Sequence, residues 1–342
     1  PGRGGIRPLV PGLLRPVTGS GVTAPRHQGG CFRAAMLHKL RAVRPDGADR
    51  VDQGNADDRA GWRSTGMDKT FLFGIGAQKA GTTWLHEYLA SFPEVAEGFT
   101  KEYHVWDARH LRPGGGRFRV RPAQIWRPNA FRRWRMQRSD SYYFDYFAGL
   151  LDRPGITLTT DITPNYAALP PEVIAAVRQG FADRGIRFRA VFLMRDPIER
   201  CWSAVRMWNR RGGGAEGQVE GVPTHLDAGE ALLAYVRTAP ARLRTRYPDT
   251  IANLARALPP EEVHVDLYEA LFTPEGVTRM SDFLGLPARV DFADRRFNVS
   301  QTNADADEDT LRAVAREYAD VYDFCGEHFP ETRRLWGGFG YL

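Results

Sequence analysis

The chain has 342 residues, with 47 Lys+Arg against 41 Asp+Glu, 42% hydrophobic residues and 3 Cys. That composition supplies a core of considerable size and excludes both a disulfide-stapled mini-protein and a disordered acidic chain. The formal charge of +6 is unevenly placed: residues 1–66 hold 11 basic and 5 acidic side chains, and the remaining 276 residues carry 36 of each. The basic balance belongs to the leader, so whole-chain charge gives no reason to expect a nucleic-acid partner for the rest.

No stretch approaches the roughly 18–20 uninterrupted apolar residues of a membrane helix, so no membrane span is expected. Cys31, Cys201 and Cys325 are an odd, scattered set without a C-x-x-C pair. Neither a disulfide framework nor a zinc knuckle is indicated, and a reducing cytoplasm is the compartment that fits.

Residues 1–66 contain 12 Gly and 6 Pro and lack any sustained period of 2 or 3.6; they read as a leader outside the core. Eight basic and no acidic residues in the first 45 resemble a transit peptide, but Ser is scarce and no amphipathic helix is evident. Met67 directly precedes a strong strand, so a natural start at Met67 and a single domain over 67–342 are expected.

From Phe71 the pattern is regular. Phe71 to Ile75 is a short apolar run, followed by a Gly-containing loop and a helical segment from Thr82 to Ser91. Further strands are predicted at Ile156 to Thr160, Phe188 to Met194 and Val263 to Leu267. Helices are predicted at Pro171 to Phe181, Pro197 to Asn209, Gly229 to Arg237, Arg242 to Leu258, Val277 to Leu284 and Glu308 to His328, with a surface loop over 211–226. Strands alternating with helices predict an α/β fold with a parallel sheet flanked by helices. The segment 108–139 holds ten Arg and no Asp or Glu, interleaved with Phe118, Trp126, Phe131 and Trp134. It reads either as a solvated excursion or as a surface for an anionic or sugar-like acceptor.

The run Gly74 to Leu85 (GIGAQKAGTTWL) lies between strand and helix, where successive backbone N–H groups and the helix dipole hold phosphate oxygens. A dinucleotide fingerprint would need Gly where Lys79 stands, and a Walker loop would need Lys where Thr82 stands. Lysine is scarce, with four (Lys39, Lys69, Lys79, Lys101) against 43 Arg. A compact ammonium at Lys79, in a chain that otherwise uses Arg, points to a geometric requirement at the end of a phosphate chain.

Gln78-Lys79-Ala80-Gly81-Thr82-Thr83-Trp84-Leu85 resembles the 5′-phosphosulfate loop, Pro-Lys-Ser-Gly-Thr-Thr-Trp, of the sulfotransferases that use 3′-phosphoadenosine 5′-phosphosulfate (PAPS). Four further segments resemble the bacterial and carbohydrate-type branch in order and spacing: Lys101-Glu102-Tyr103-His104-Val105-Trp106-Asp107, Asp161-Ile162-Thr163-Pro164-Asn165-Tyr166, Arg195 to Ser203 (RDPIERCWS), and Phe297-Asn298-Val299-Ser300. The resemblance covers about residues 71–303 and implies a P-loop nucleotide-kinase-like fold, with PAPS as co-substrate and adenosine 3′,5′-bisphosphate (PAP) as product. It implies that Gln78, Lys79, Ala80, Gly81, Thr82 and Thr83 hold the donor, that Arg195 and Ser203 clamp its 3′-phosphate, and that Trp84 stacks on adenine, with core packing as the rival role. Glu102 is the implied base, with His104 as the alternative and Asp107 in support; Lys79 faces the leaving phosphate. Ile162 stands where the Golgi enzymes have Lys, and their late Lys-rich loop and Cys pair are absent, which points to a bacterial branch. Arg295 and Arg296 are candidates for the missing late cationic contact.

No carboxylate or His pair has metal-ligand spacing, so metal-independent transfer is expected. The acceptor, a small molecule or carbohydrate offering hydroxyl or amine, stays open, as does oligomeric state. A P-loop kinase or NTPase and a non-catalytic nucleotide-binding module are the competing readings.

Overall fold

Five segments rich in β-branched and aromatic residues form the strands β1 (Thr70–Gly76), β2 (Val95–Ala96), β3 (Leu158–Ile162), β4 (Arg187–Met194) and β5 (Val263–Leu267). All neighbours pair in parallel, in the order β2-β3-β1-β4-β5, with Phe73 between Asp161 and Ala190 in register. The computed structural model describes residues 69–111, 115–210, 222, 226–297 and 306–342. Of the expected features, the leader, most of the 211–226 loop and Asn298-Val299-Ser300 lie outside those residues.

The helices are α1 (Thr82–Ala90), α2 (Trp106–His110), α3 (Pro128–Met136), α4 (Asp140–Leu151), α5 (Pro171–Ala182), α6 (Pro197–Arg210), α7 (Ala228–Val236), α8 (Ala239–Thr245), α9 (Tyr247–Ala257), α10 (Pro274–Leu284), α11 (Glu308–Glu317), α12 (Ala319–His328) and α13 (Thr332–Leu335). Two expected helices are each broken in two. Arg242 to Leu258 is interrupted at Arg246, which takes φ −76 and ψ 70: Pro248 has no N–H to give the Arg244 carbonyl and its ring crowds that carbonyl, so a new helix starts with proline in its first turn. Glu308 to His328 is interrupted at Tyr318 (φ −118, ψ 22), whose hydroxyl donates to the Val236 carbonyl.

β1 is central and all seven of its residues are buried, as a parallel strand covered on both faces requires. Phe71 stacks on Phe181 of α5 at 3.8 Å, and Phe73 lies over Tyr166 at 4.9 Å. The chain passes from β1 to β2 and β3 on one side, then to β4 and β5 on the other. The C-terminal ends of β1, β3 and β4 therefore converge at a switch of strand order, where open α/β sheets form their binding crevices.

Candidate functional site

At the end of β1 the backbone makes the loop that delivers α1. Gly81 is the residue before the helix, with φ 92, and a Cβ there would stand 2.5 Å from Leu271 Cδ1 and 3.1 Å from Tyr268 Cδ2. Glycine is needed both for the left-handed backbone and for this close approach. Among the described residues the non-glycine positions with positive φ are Lys79 (69) and His104 (52). Such backbone is uncommon outside glycine and gathers at functional sites. Both are residues to which the sequence motifs assign chemistry.

The loop is pinned from two sides. The Ala77 N–H donates to the Leu193 carbonyl of β4 at 2.7 Å. Arg195, delivered by the end of β4, donates from Nη1 to the Lys79 carbonyl at 3.2 Å and from Nη2 to Glu199 Oε2 at 3.1 Å, with its guanidinium 4.5 Å from the Tyr268 ring. Asp196 caps α6: Oδ1 accepts from the Ile198 N–H at 2.9 Å and the Tyr322 hydroxyl at 2.6 Å, and Oδ2 accepts from the Gly338 N–H at 2.7 Å. The C-terminal segment thus ties down the residue beside Arg195. Ser203 lies two turns into α6 with its side chain buried.

The second half of the site is the stretch from Lys101 to Asp107. Lys101 Nζ donates to Thr82 Oγ1 at 3.3 Å, Thr83 Oγ1 at 3.4 Å and Glu102 Oε1 at 3.3 Å. An ammonium is thereby held at the N-terminus of α1, the positive end of the helix dipole, where an anion is the favoured occupant. His104 lies between two carboxylates, with Nδ1 2.7 Å from Asp107 Oδ2 and Nε2 3.3 Å from Glu102 Oε2, and its ring stacks on Phe118 at 3.7 Å. Burial by itself would raise the Glu102 carboxyl, but the hydrogen bond from His104 and the charge of Lys101 outweigh it and bring it down to about 2. Burial opposes the charged imidazole of His104, yet its hydrogen bonds to Asp107 and Glu102 raise it above the ordinary value.

This stretch has little regular structure before α2 and is held by side chains from far away in sequence. Thr163 Oγ1 accepts from the Tyr103 N–H at 3.0 Å and donates to Asp161 Oδ1 at 2.6 Å; the Tyr143 and Tyr166 hydroxyls donate to Asp161 Oδ2 at 2.8 and 2.9 Å. Tyr166 Oη in turn accepts from the Val105 N–H at 3.0 Å. Burial pushes the Asp161 carboxyl up to about 6 in spite of these donors. From the other side, Arg133 Nη2 donates to the Glu102 carbonyl at 3.0 Å and Gln137 Nε2 to the His104 carbonyl at 2.7 Å. Asn165 Nδ2 reaches Asp107 Oδ2 at 2.9 Å and is itself held by Arg244.

The structure therefore brings Lys79, Thr82, Thr83, Glu102, His104 and Arg195 to the same end of the sheet. It gives Trp84 a different place from the one expected: the indole is 2% exposed, stacks on Tyr88 at 5.0 Å and donates from Nε1 to the Phe292 carbonyl at 3.2 Å. No face is left for a base, so in this structure Trp84 packs the core. Ala80 is also fully buried, and its N–H donates to the Ala77 carbonyl at 3.2 Å. Gln78 Oε1 is buried with no hydrogen-bond partner among the described residues. Arg195 and Ser203 make no hydrogen bond to each other among the described residues, and a clamp in which each contacts the phosphate needs none. Arg295 and Arg296 lie over Phe292 and Phe272, beside Trp84. Sequence reasoning misses Lys101, although the scarcity of lysine that marks Lys79 marks it equally. Tyr268 beneath Arg195 carries no local signal, and although Asp161 opens one of the segments of the resemblance, nothing local marks it as the acceptor of three hydroxyls.

No family model matches the chain, and no curated protein sequence matches it. Among solved structures it is similar to a sulfotransferase from Alicyclobacillus acidocaldarius, at 18% identity and a TM-score of 0.46, over 75% of this chain and 95% of that chain. Similarity at this level carries neither donor nor acceptor chemistry to the present chain. No helix among the described residues is long and apolar enough to cross a membrane.

Proposed function

We propose that the chain is a sulfotransferase that moves a sulfuryl group in line from PAPS to a hydroxyl or amine acceptor. The observation that carries this reading is the position of Lys101, whose ammonium joins the hydroxyls at the start of α1 to the Glu102 carboxylate. An anion cradle and an ionised carboxylate thus stand one lysine apart. The donor would supply a phosphosulfate bond whose cleavage leaves a phosphate. Lys79, Lys101 and the first-turn N–H groups of α1 provide fixed positive charge where negative charge develops. Arg195 holds the Lys79 carbonyl and shares its other nitrogen with Glu199, so a 3′-phosphate reaching it has Glu199 to replace.

Glu102 is the base of this proposal. At about 2 its carboxyl is ionised at every physiological pH but takes up a proton reluctantly. An acceptor hydroxyl that replaces His104 Nε2 on Oε2 removes the main hydrogen bond depressing that affinity, and so makes the base in the act of binding. A second reading has its own observation: Asp107 on Nδ1 at 2.7 Å leaves Nε2 as the reacting nitrogen of a His104 base.

Calorimetry tests the donor reading. PAP should bind about ten- to a hundredfold more tightly than AMP, the worth of a charge-assisted phosphate contact, and equal affinities would remove the 3′-phosphate assignment. Glu102→Gln should leave PAP affinity near wild type and cost roughly a hundredfold or more in labelled-sulfate transfer. Full turnover in that variant with an inactive His104→Ala would move the base to His104. ATP-dependent phosphate release without sulfate transfer would favour the kinase reading.

A further inference from the structure

Three of the six exposed large hydrophobic side chains among the described residues fall within one seven-residue stretch: Ile125 (36%), Trp126 (74%) and Phe131 (42%). They stand on the excursion leading into α3, and the chain from 108 to 139 contains no acidic residue. Arg121, Arg127, Arg132, Arg135 and Arg138 are exposed around them, and none forms an ion pair among the described residues. Their contacts run to rings: Arg127 lies over Trp126 at 5.0 Å, Arg135 over Tyr142 at 3.9 Å and Arg138 over Trp134 at 4.6 Å. Trp134 also stacks with Phe131 at 5.9 Å and lines a cleft of about 390 Å³ together with Arg119, Arg138 and Arg109, the last of which is ion-paired to Asp140 at the edge of the face.

We propose that this face docks on an anionic phospholipid surface, with Ile125, Trp126 and Phe131 entering the interfacial layer and the arginines meeting headgroup phosphates. The physical grounds are the combination of exposed Trp and aliphatic carbon with unpaired, acid-free positive charge. The charge also disfavours other occupants. A second copy in a two-fold contact would set arginine against arginine, and residues 1–66, with 11 basic and 5 acidic side chains, are repelled as well. Stacking of nucleobases is a poorer fit, since Trp126 has one face under Arg127 and Phe131 is already stacked on Trp134. An aliphatic side chain such as Ile125 has no use there.

The surface is wired to the candidate site. Arg133 and Gln137, from the same helix and its end, hold the Glu102 and His104 carbonyls at 3.0 and 2.7 Å. Docking would therefore set the Glu102 carboxylate close to the membrane surface, within reach of acceptors presented there. The docking inference itself stands apart from the sulfotransferase reading.

The test is sedimentation of the full chain with vesicles of phosphatidylcholine alone or with phosphatidylglycerol added, at low and at high salt. Binding should be at least about tenfold stronger to the anionic vesicles and should fall with salt. The double variant Trp126→Ala with Phe131→Ala should lose about tenfold in vesicle affinity, as expected from removing buried apolar contact. Arg127→Ser with Arg132→Ser should reduce the preference for anionic lipid about tenfold or more. Emission from Trp126, taken as wild type minus Trp126→Phe, should shift to shorter wavelength on anionic vesicles. All these positions are exposed, so melting temperatures should stay unchanged. Equal binding to neutral vesicles, no binding at low salt, or undiminished binding by the Trp126/Phe131 variant would overturn the proposal, as would retention of an anionic polysaccharide or nucleic acid in its place.

Discussion

The two halves of the candidate site are built by opposite means. The loop from Ala77 to Gly81 is a local structure: a strand end, glycines at constrained positions and a helix start, all within a dozen residues. The stretch from Lys101 to His104 has almost no structure of its own. It is suspended from Asp161, Thr163 and Tyr166 on one side and from Arg133 and Gln137 on the other. One half is shaped by backbone geometry and the other by buried polar contacts between distant residues, so the two should fail in different ways.

The largest effect is expected where the suspended half is anchored. Asp161→Ala removes the acceptor of three buried hydroxyls, from Tyr143, Tyr166 and Thr163, and should cost about 3–5 kcal/mol of stability. Hydrogen exchange at Tyr103 and Val105 should accelerate while the β1 amides stay protected; uniform acceleration would mean that Asp161 supports the whole sheet.

In the locally built half, Lys79→Ala should leave the fold intact. It should lower transfer by about a hundredfold, roughly 2.7 kcal/mol, and weaken PAP binding as well. A loss of stability comparable to that of Asp161→Ala would erase the contrast between the halves.

A pH experiment probes the wall behind the loop. Burial pushes the Glu269 carboxyl up to about 7 from its ordinary 4.5, against the opposing hydrogen bond from Trp336 and the charge of Arg195. An acid raised in the folded state contributes stability below its unfolded value and loses it as pH climbs through the folded one. Wild type should therefore lose about 2–3 kcal/mol between pH 4.5 and pH 8 through this group, and Glu269→Gln should lack that part of the slope. Asp161, raised to about 6, slopes in the same direction, so the difference between the two proteins isolates Glu269. Parallel curves in a denaturant series would reject the assignment.

The smallest effect belongs to Gly81→Ala. The added methyl meets the flexible end of the buried Leu271, which must move aside, and the edge of Tyr268, and the backbone strain at φ 92 remains. A cost of about 1–2 kcal/mol in a thermal melt is expected, with a proportionally greater loss of PAP affinity.

Four of the five strands, the loop and α1 could be read from the sequence because their signals are local: apolar runs, glycine placement and a helix start; β2, two residues long, is too short to show a period. The break at Tyr318 was less legible, since helical periodicity continues across it while its hydroxyl is held by the distant Val236 carbonyl; the break at Arg246 had a local signal in Pro248. In the site, the resemblance marked Lys79, Glu102, His104 and Arg195, and the structure places them at one end of the sheet. The place of Trp84 could not be read from its motif. An aromatic one turn into a helix faces either ligand or core, and only the arrival of Phe272 and Phe292, from far along the chain, decides which.

The sequence by itself determined which residues could form a phosphate-binding turn and which carried charge, because backbone permissiveness and side-chain type are properties of single positions. Tertiary structure alone decided that Lys101 stands at the start of α1 and that Asp161 lies buried beneath the Tyr103 backbone. It also decided that His104 is held between two carboxylates. Each of these contacts joins a segment without a regular period to side chains brought in by another element, and the free energy of burying polar groups in pairs appears only when both partners are in place.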